Sequence, residues 1–298
     1  MVFERHLGER VVVGHVPIPL VRNALGGEAA GAIIPGRTAT VSPPRLEGPV
    51  SEAARVPIEV PAVIGHRGAA GHAPENTLAS FRRARALGAR WVEFDVKLTR
   101  DGHPILMHDD TLDRTTDGRG PVAEADLADV RRLDAGGWFA PEFRGEPVPT
   151  LARALAALAE LGLGANVEIK PCRGRERETA AAVAELLKRA WPKELPAPLL
   201  SSFREESLAA TRDSAPEFPR ALLVREVADG WRRRLEDLGC TGFHCEHRRL
   251  AEERAREVVA AGFALRCYTV NDRARAATLF GWGVASVFTD YPERILGG

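Results

Sequence analysis

The 298-residue sequence has no apolar run of about 18 residues, the length a membrane-spanning helix needs. It has no charge excess either. Its 41 basic residues balance 41 acidic ones, which argues against a surface committed to nucleic acid or anionic lipid. Cysteine is sparse. Cys172, Cys240, Cys245 and Cys267 include no C-x-x-C pair, so a zinc site is not expected and the thiols read as free or buried in a reducing compartment. A dinucleotide loop is missing too. GHRGAAG at 65–71 lacks the G-x-G-x-x-G order and reads instead as a sharp turn after a strand. The opening MVFERHLGERVVVGHVPIPL carries acids early and no long apolar core, a poor secretory signal. A cytoplasmic protein with a small-molecule partner, no nucleic acid and no membrane span is the expectation.

Residues 1–60 hold one aromatic, Phe3, and a Gly/Ala/Pro-rich middle. Apart from a short strand candidate at 11–13 they show no sustained period. They read as a largely irregular extension without a catalytic role, His6 and His15 included; a cap on the main domain or sequence upstream of the true start are the alternatives. From 61 on, short β-rich runs alternate with helical patterns. The strand candidates are 62–66, 91–96, 165–170, 198–203, 220–224, 242–246, 265–270 and 286–290. Helices are expected at 77–87, 150–161, 177–190, 205–212, 228–238, 251–261 and 272–280. Such alternation implies parallel strands joined by right-handed crossovers. Another run, 104–108, breaks the pattern. Too few residues separate Val96 from Ile105 for a crossover helix, and Asp101-Gly102 between them is a hairpin signal. The expectation is an α/β fold, a (β/α)8 TIM barrel over 61–298, with the hairpin and a small insertion after the second strand, about 97–149. That length is near the usual ~250 residues of such barrels. Within the insertion, 123–133 reads as one short helix.

Barrel active sites form at the carboxyl ends of the strands, and there the chemistry of this sequence collects. Glu93 and Asp95, two residues apart on one strand, share a face. With Glu168 they form a candidate oxygen cage for a hard divalent cation, Mg²⁺ or Ca²⁺. The bland reading is that these acids merely pair with Arg67 and Lys170, but three acids facing two bases leave charge to neutralise. Beside a metal, Arg67 and Lys170 would hold anionic phosphate oxygens. His66 and His108 are the candidate general acid/base pair, since imidazole titrates near neutrality. Phe203, Tyr268, Asn271 and the Thr289-Asp290 pair also close strands. His72, His103, His244 and His247 read as structural.

At these residues the sequence resembles the glycerophosphodiester phosphodiesterase family. The resemblance lies in GHRGAAGHAPENTLASF and VEFDVKLTRDGHPILMHDDTLDRTTDGRGPV, then in VPTL, VEIKP, SSF, YTVN and FTDYP in the same order, over 61–298. It implies a barrel that hydrolyses glycerophosphodiesters to glycerol 3-phosphate and an alcohol. His66 and His108 match the family's catalytic histidines, Glu93, Asp95 and Glu168 its metal ligands, and Arg67 and Lys170 its phosphate contacts. Tyr268 stands where the family usually has tryptophan, which bears on substrate preference; Phe203 and Tyr268 are counted as substrate-binding. The rival readings are a related phosphodiesterase acting on lysophospholipids or releasing a cyclic phosphate, a phosphodiester-binding barrel without activity, and a metal-dependent lyase or isomerase.

Overall fold

The computed structural model describes residues 58–297, so the readings made on 1–57, including the strand at 11–13, His6 and His15, lie outside it. Strand β1 (Val63–Gly65) leads through helix α1 (Leu78–Ala86) to β2 (Trp91–Leu98). The short β3 (Pro104–Leu106) and helix α2 (Leu127–Val130) follow, then α3 (Leu151–Leu161). From there strand and helix alternate: β4 (Gly164–Ile169), α4 (Glu176–Ala190), β5 (Leu199–Ser202), α5 (Glu205–Ser214), β6 (Arg220–Val224), α6 (Trp231–Leu238), β7 (Gly242–Glu246), α7 (Glu252–Ala260), β8 (Ala264–Tyr268), α8 (Arg273–Gly281), β9 (Ser286–Thr289) and α9 (Pro292–Leu296). All but β3 pair in parallel, and β1 bonds to both β9 and β2, which closes an eight-stranded barrel. The fold is the expected TIM barrel, with strand ends one or two residues from those read in the sequence.

The period of two along β2 divides the molecule into two cores. Val92, Phe94 and Val96 point outward and pack with Leu155, Leu158 and Leu187 of α3 and α4. Each such side chain contributes about 1.5–3 kcal/mol on full burial. The other parity turns into the lumen. Trp91 meets Ile64, Leu199, Ala221 and Phe288 there, closing the bottom of the barrel. Glu93 and Asp95 share that inward parity. Helix starts follow local chemistry: the Thr77 and Thr150 side chains accept the Ser80 and Arg153 backbone N–H groups, and Asp272 does the same for Arg275. Gly162, in the left-handed region at φ 61°, ends α3.

The hairpin is present at Asp101-Gly102, and β3 runs antiparallel to β2 with Val96 opposite Leu106. β1 and β3 share one edge of β2. β1 uses the lower part, with Gly65 opposite Val92, and β3 uses the upper part. β1 therefore climbs that edge while β3 descends it, and the Met107 N–H continues the ladder onto the Asp95 carbonyl at 3.0 Å. Beyond Leu106 the chain leaves the regular strand, so His108, two residues on, is not bound to the outward parity of Phe94.

The expected single helix at 123–133 is instead broken into a 3₁₀ turn, Val122–Glu124, and α2. The hairpin causes the break. The Arg100 N–H donates to the Ala125 carbonyl at 2.8 Å, which holds Ala125 extended. Asp101 then accepts the Leu127 N–H at 3.0 Å, starting a new helix there. Helix α6 likewise starts at Trp231 rather than 228, because Gly230 sits at φ 78°.

Close packing at the bottom of the lumen requires Gly164. A Cβ there would lie 2.3 Å from the Trp91 indole. Gly164→Ala should destabilise the protein by about 1–3 kcal/mol through overpacking. Thermal denaturation measures this; an unchanged melting temperature would mean that Trp91 yields without cost.

Candidate active site

The strand ends of the barrel open into a cavity of about 520 Å³ whose walls include His66, Arg67, Glu93, His108, Glu168, Lys170, Phe203 and Tyr268. Eight of the nine site residues read from the sequence therefore line one space. The ninth, Asp95, is buried just behind the wall, where its carboxylate meets Lys170 Nζ at 3.2 Å.

Glu93, Asp95 and Glu168 each bring a carboxylate oxygen to within 4.8 Å of the others, and all three are buried. Burial and the neighbouring carboxylates push Glu93 well above the usual carboxylate range. The same causes raise Glu168 to about 7. Burial works on Asp95 too, but Lys170 and Arg67 outweigh it and hold this carboxyl low. Glu93 Oε1 is buried without a hydrogen-bond partner. Three crowded acid groups with an unused inward oxygen fit the coordination chemistry of Mg²⁺ or Ca²⁺. Lys170 sits 3.0 Å from Glu168 and 5.8 Å from the centre of the Phe203 ring.

Two turns with unusual backbone hold this cluster. Arg67 and Asn76 both lie in the left-handed region, at φ 51° and 58°. Non-glycine residues occupy that region at some cost, so their surroundings must enforce it. For Arg67, the backbone N–H donates to Glu93 Oε2 at 2.9 Å and the backbone carbonyl accepts from Ser80 Oγ. Gly68 follows at φ 91°, packed so closely on Ser80 that no side chain would fit. Asn76 bonds Asp95 twice, through Nδ2 to Oδ2 at 2.9 Å and from the Asp95 N–H to Oδ1 at 3.0 Å. The sequence shows Asn76 only as part of the PENT resemblance; nothing in its spacing reveals the fork on Asp95.

Each histidine has its own carboxylate. His66 Nδ1 lies 2.7 Å from Asp290 Oδ1, and Asn271 Nδ2 donates to the other Asp290 oxygen at 2.7 Å. His108 Nδ1 lies 2.6 Å from Asp109 Oδ1. A carboxylate only accepts, so both imidazoles carry their proton on Nδ1 and leave Nε2 free. Behind Asp109 runs a chain of ion pairs: Arg114 grips Asp109 at 2.6 Å and Glu75 at 2.8 Å, and Glu75 accepts from Arg67 at 2.7 Å. Hydrogen bonding from Arg114 holds Asp109 well below the usual carboxylate range. Burial lowers His108, and Arg67 and Lys170 add to this against the pull of Asp95. Asp290 and Asn271 were visible in the sequence only as strand-closing residues, and Asp109, Arg114 and Glu75 carried no signal beyond their place in the motifs.

Arg67 is not an open anion trap. Its guanidinium rests on Glu75 and 3.4 Å from Asp95, with Nε left without a hydrogen bond. Phe203 stands half-exposed at the rim, edge to face with Tyr268 at 5.9 Å, and the Tyr268 hydroxyl donates to the Val224 carbonyl at 2.7 Å. Among the histidines read as structural, His72 bonds Glu293 at 2.9 Å and fits that reading. His244 does not, because it lines the cavity and neither of its ring nitrogens has a partner.

A sequence model of the Glycerophosphoryl diester phosphodiesterase family matches residues 66–294. A glycerophosphodiester phosphodiesterase of Bacillus subtilis is 34% identical over 250 residues, which is 77% of this chain and 83% of that protein. Its namesake from Caldanaerobacter subterraneus is 32% identical over 239 residues, 78% of this chain and 96% of that one. Among solved structures, an Oleispira antarctica phosphodiesterase in complex with the product sn-glycerol-3-phosphate superposes with a TM-score of 0.78 at 42% identity, over 80% of this chain and 96% of that one. With the family match spanning nearly the whole barrel, the chain belongs to the glycerophosphoryl diester phosphodiesterase family.

Proposed function

We propose that the cavity hydrolyses glycerophosphodiesters to sn-glycerol 3-phosphate and an alcohol, with His66 and His108 as the acid/base pair and Glu93, Asp95 and Glu168 holding Mg²⁺ or Ca²⁺. The observation that carries this reading is the arrangement itself: two imidazoles, each oriented by a carboxylate, beside a buried cluster of three more carboxylates. The cation, when bound, supplies the positive charge that polarises a phosphoryl oxygen. Lys170 binds the anionic phosphate oxygens, and Arg67, already paired with Glu75 and close to Asp95, offers them only the nitrogens those acids leave over. His108, lowered by burial, is the neutral imidazole suited to take at Nε2 the proton of the nucleophile, water or the glycerol 2-hydroxyl, as its oxygen bonds to phosphorus and the bond to the alcohol oxygen breaks. His66 acts in its protonated form, giving the Nε2 proton to the departing alcohol oxygen while Asp290 accepts from Nδ1 and keeps the ring in place. Phe203 and Tyr268 form the aromatic wall against which the alcohol rests.

Residues 61–298 are the catalytic barrel in this reading, and 1–60 an extension without a catalytic role. Among the described residues no helix is long and apolar enough to cross a membrane. Cys172, Cys240, Cys245 and Cys267 are all free and buried, which supports a cytoplasmic location.

Release of sn-glycerol 3-phosphate from glycerophosphocholine and glycerophosphoethanolamine tests the activity. His66→Ala and His108→Ala should each lower kcat by about 10²–10⁴. Near-wild-type turnover in both variants would remove the histidines from the mechanism. Asp290→Asn should lower kcat more than it raises KM and alter the pH profile; a change in KM alone would speak against its orienting role.

The metal assignment has a separate readout in stability. Glu168 is held near 7 in the folded chain, above its unfolded value of about 4.3. Between those values the folded metal-free state binds more protons than the unfolded one, so this group lowers stability as pH rises through that window. A divalent cation binds the ionised carboxylates. Mg²⁺ or Ca²⁺ should therefore raise the melting temperature over that in chelator, and by more at pH 8 than at pH 5. No rise at either pH would overturn the assignment.

A further inference from the structure

We propose that the floor of the cavity, His244 with Asn166, is a hydroxyl-recognition subsite that reads the end of the glycerol unit farthest from the reacting phosphate. This rests on the phosphodiester-hydrolase reading above and adds the group that selects the polyol.

His244 lies in the middle of β7 and turns into the lumen, with Leu223 and Arg266 beside it on the neighbouring strands. It is wholly buried, yet neither Nδ1 nor Nε2 has a hydrogen-bond partner. Its ring packs against Phe288 with centroids 5.1 Å apart. Asn166, on β4, gives its amide to Ser201 Oγ at 2.9 Å, and its Oδ1 is buried and unpaired. Both residues line the same cavity as His66 and Glu168. Asn166 precedes Glu168 by two residues and His244 precedes Glu246 by two, so each sits one inward step deeper than the acid groups of the mouth. Leaving a buried polar group unpaired costs about 1–3 kcal/mol, and here His244 and Asn166, which line one cavity, carry three such atoms between them.

The chemistry of these atoms selects the ligand. Burial and the Arg266 charge push His244 far below its usual range, so the ring is neutral, with one donor and one acceptor. Asn166 Oδ1 only accepts, and Glu93, on the rung paired with Asn166, adds an unpaired carboxylate oxygen. The Arg266 guanidinium, turned to the Ala264 carbonyl, is not part of the cavity wall, and among the wall atoms an anion would meet mostly acceptors. A hydroxyl, which gives one hydrogen bond and takes another, fits. Leu223 and Phe288 flank the spot and suit the carbon that bears it. The mouth, where Phe203, Arg225 and Glu246 stand, is left for the variable alcohol.

The test compares glycerophosphoethanolamine with its 1-deoxy analogue, which lacks the terminal glycerol hydroxyl. A site built around a hydroxyl rejects the analogue strongly, so the wild type should favour the natural substrate in kcat/KM by about 10²-fold or more. In His244→Leu that ratio should collapse at least tenfold. In His244→Gln, which keeps a donor and an acceptor, much of it should survive. A ratio unchanged in folded His244→Leu, even with both rates reduced, means a structural histidine and overturns the proposal. The wild type carries a second test that needs no variant: sn-glycerol 3-phosphate should inhibit at concentrations at least tenfold lower than its 1-deoxy analogue. Equal inhibition also overturns the proposal. A wild type that hydrolyses no glycerophosphodiester, with or without Mg²⁺ or Ca²⁺, instead overturns the reading on which it rests.

Discussion

Three carboxylates buried at the mouth of one barrel repel each other, and most of the surrounding structure answers that repulsion. Left alone in a low-dielectric site they would have to take up protons. Glu93 and Glu168 are pushed that way, while Asp95 stays ionised because Lys170 and Arg67 face it. Asn76 donates one hydrogen bond to the same carboxylate and accepts another from the Asp95 backbone N–H. The left-handed backbone at Arg67 and Asn76 follows from this arrangement: each residue must turn its polar groups back onto β2 directly after leaving a strand or loop. Strain at these two positions is local, and the hydrogen bonds it makes possible hold the acids in place.

The second consequence is continuity between the charges. Arg67 touches Asp95 on one side and Glu75 on the other; Glu75 meets Arg114, Arg114 meets Asp109, and Asp109 meets His108. One alternating line of ions thus ties the acid cluster to an imidazole. Parts of this line are exposed and contribute little to stability by themselves. Its effect is orientation, since removing any member leaves its neighbours with a different best geometry. His66 lies outside the line and is held from the neighbouring strands on the other flank of β1, by Asp290 and Asn271 beyond β9 and β8.

Much of this was legible in the sequence for a simple reason. Strand periodicity fixes which side chains face inward, and in a barrel inward at a strand's carboxyl end means the site. Glu93, Asp95 and Glu168 follow from that rule alone, and the Asp101-Gly102 hairpin follows from the lack of room for a crossover. The supporting residues were not legible, because their roles depend on contacts between distant turns. Asn76 reaches Asp95 across α1, and Asp290 reaches His66 across 224 residues of chain. The surroundings of His244 were not legible for a different reason. A lone histidine on a strand is usually satisfied by a neighbour, and only the lumen geometry shows that this one is not. The broken helix at 122–130 has the same origin, since the hairpin that extends Ala125 is remote from it in sequence.

The shared edge of β2 has a bearing on how this molecule tolerates change in chain length. β1 and β3 approach each other along one edge, and the place where the segment bearing His108 begins is set by a count of backbone rungs. Beyond Arg114, the connection to α3 carries no such count. Its segments can lengthen or shorten, provided its apolar cluster around Met107, Leu112, Val122 and Val148 still closes. The short turn from Leu98 to Pro104 has no comparable freedom. A single residue gained or lost there would shift β3 by one rung, exchange the faces of Ile105 and Leu106, and displace the segment that leads to His108. Two adjoining loops of one insertion are thus under opposite length constraints, one permissive and the other fixed to the residue.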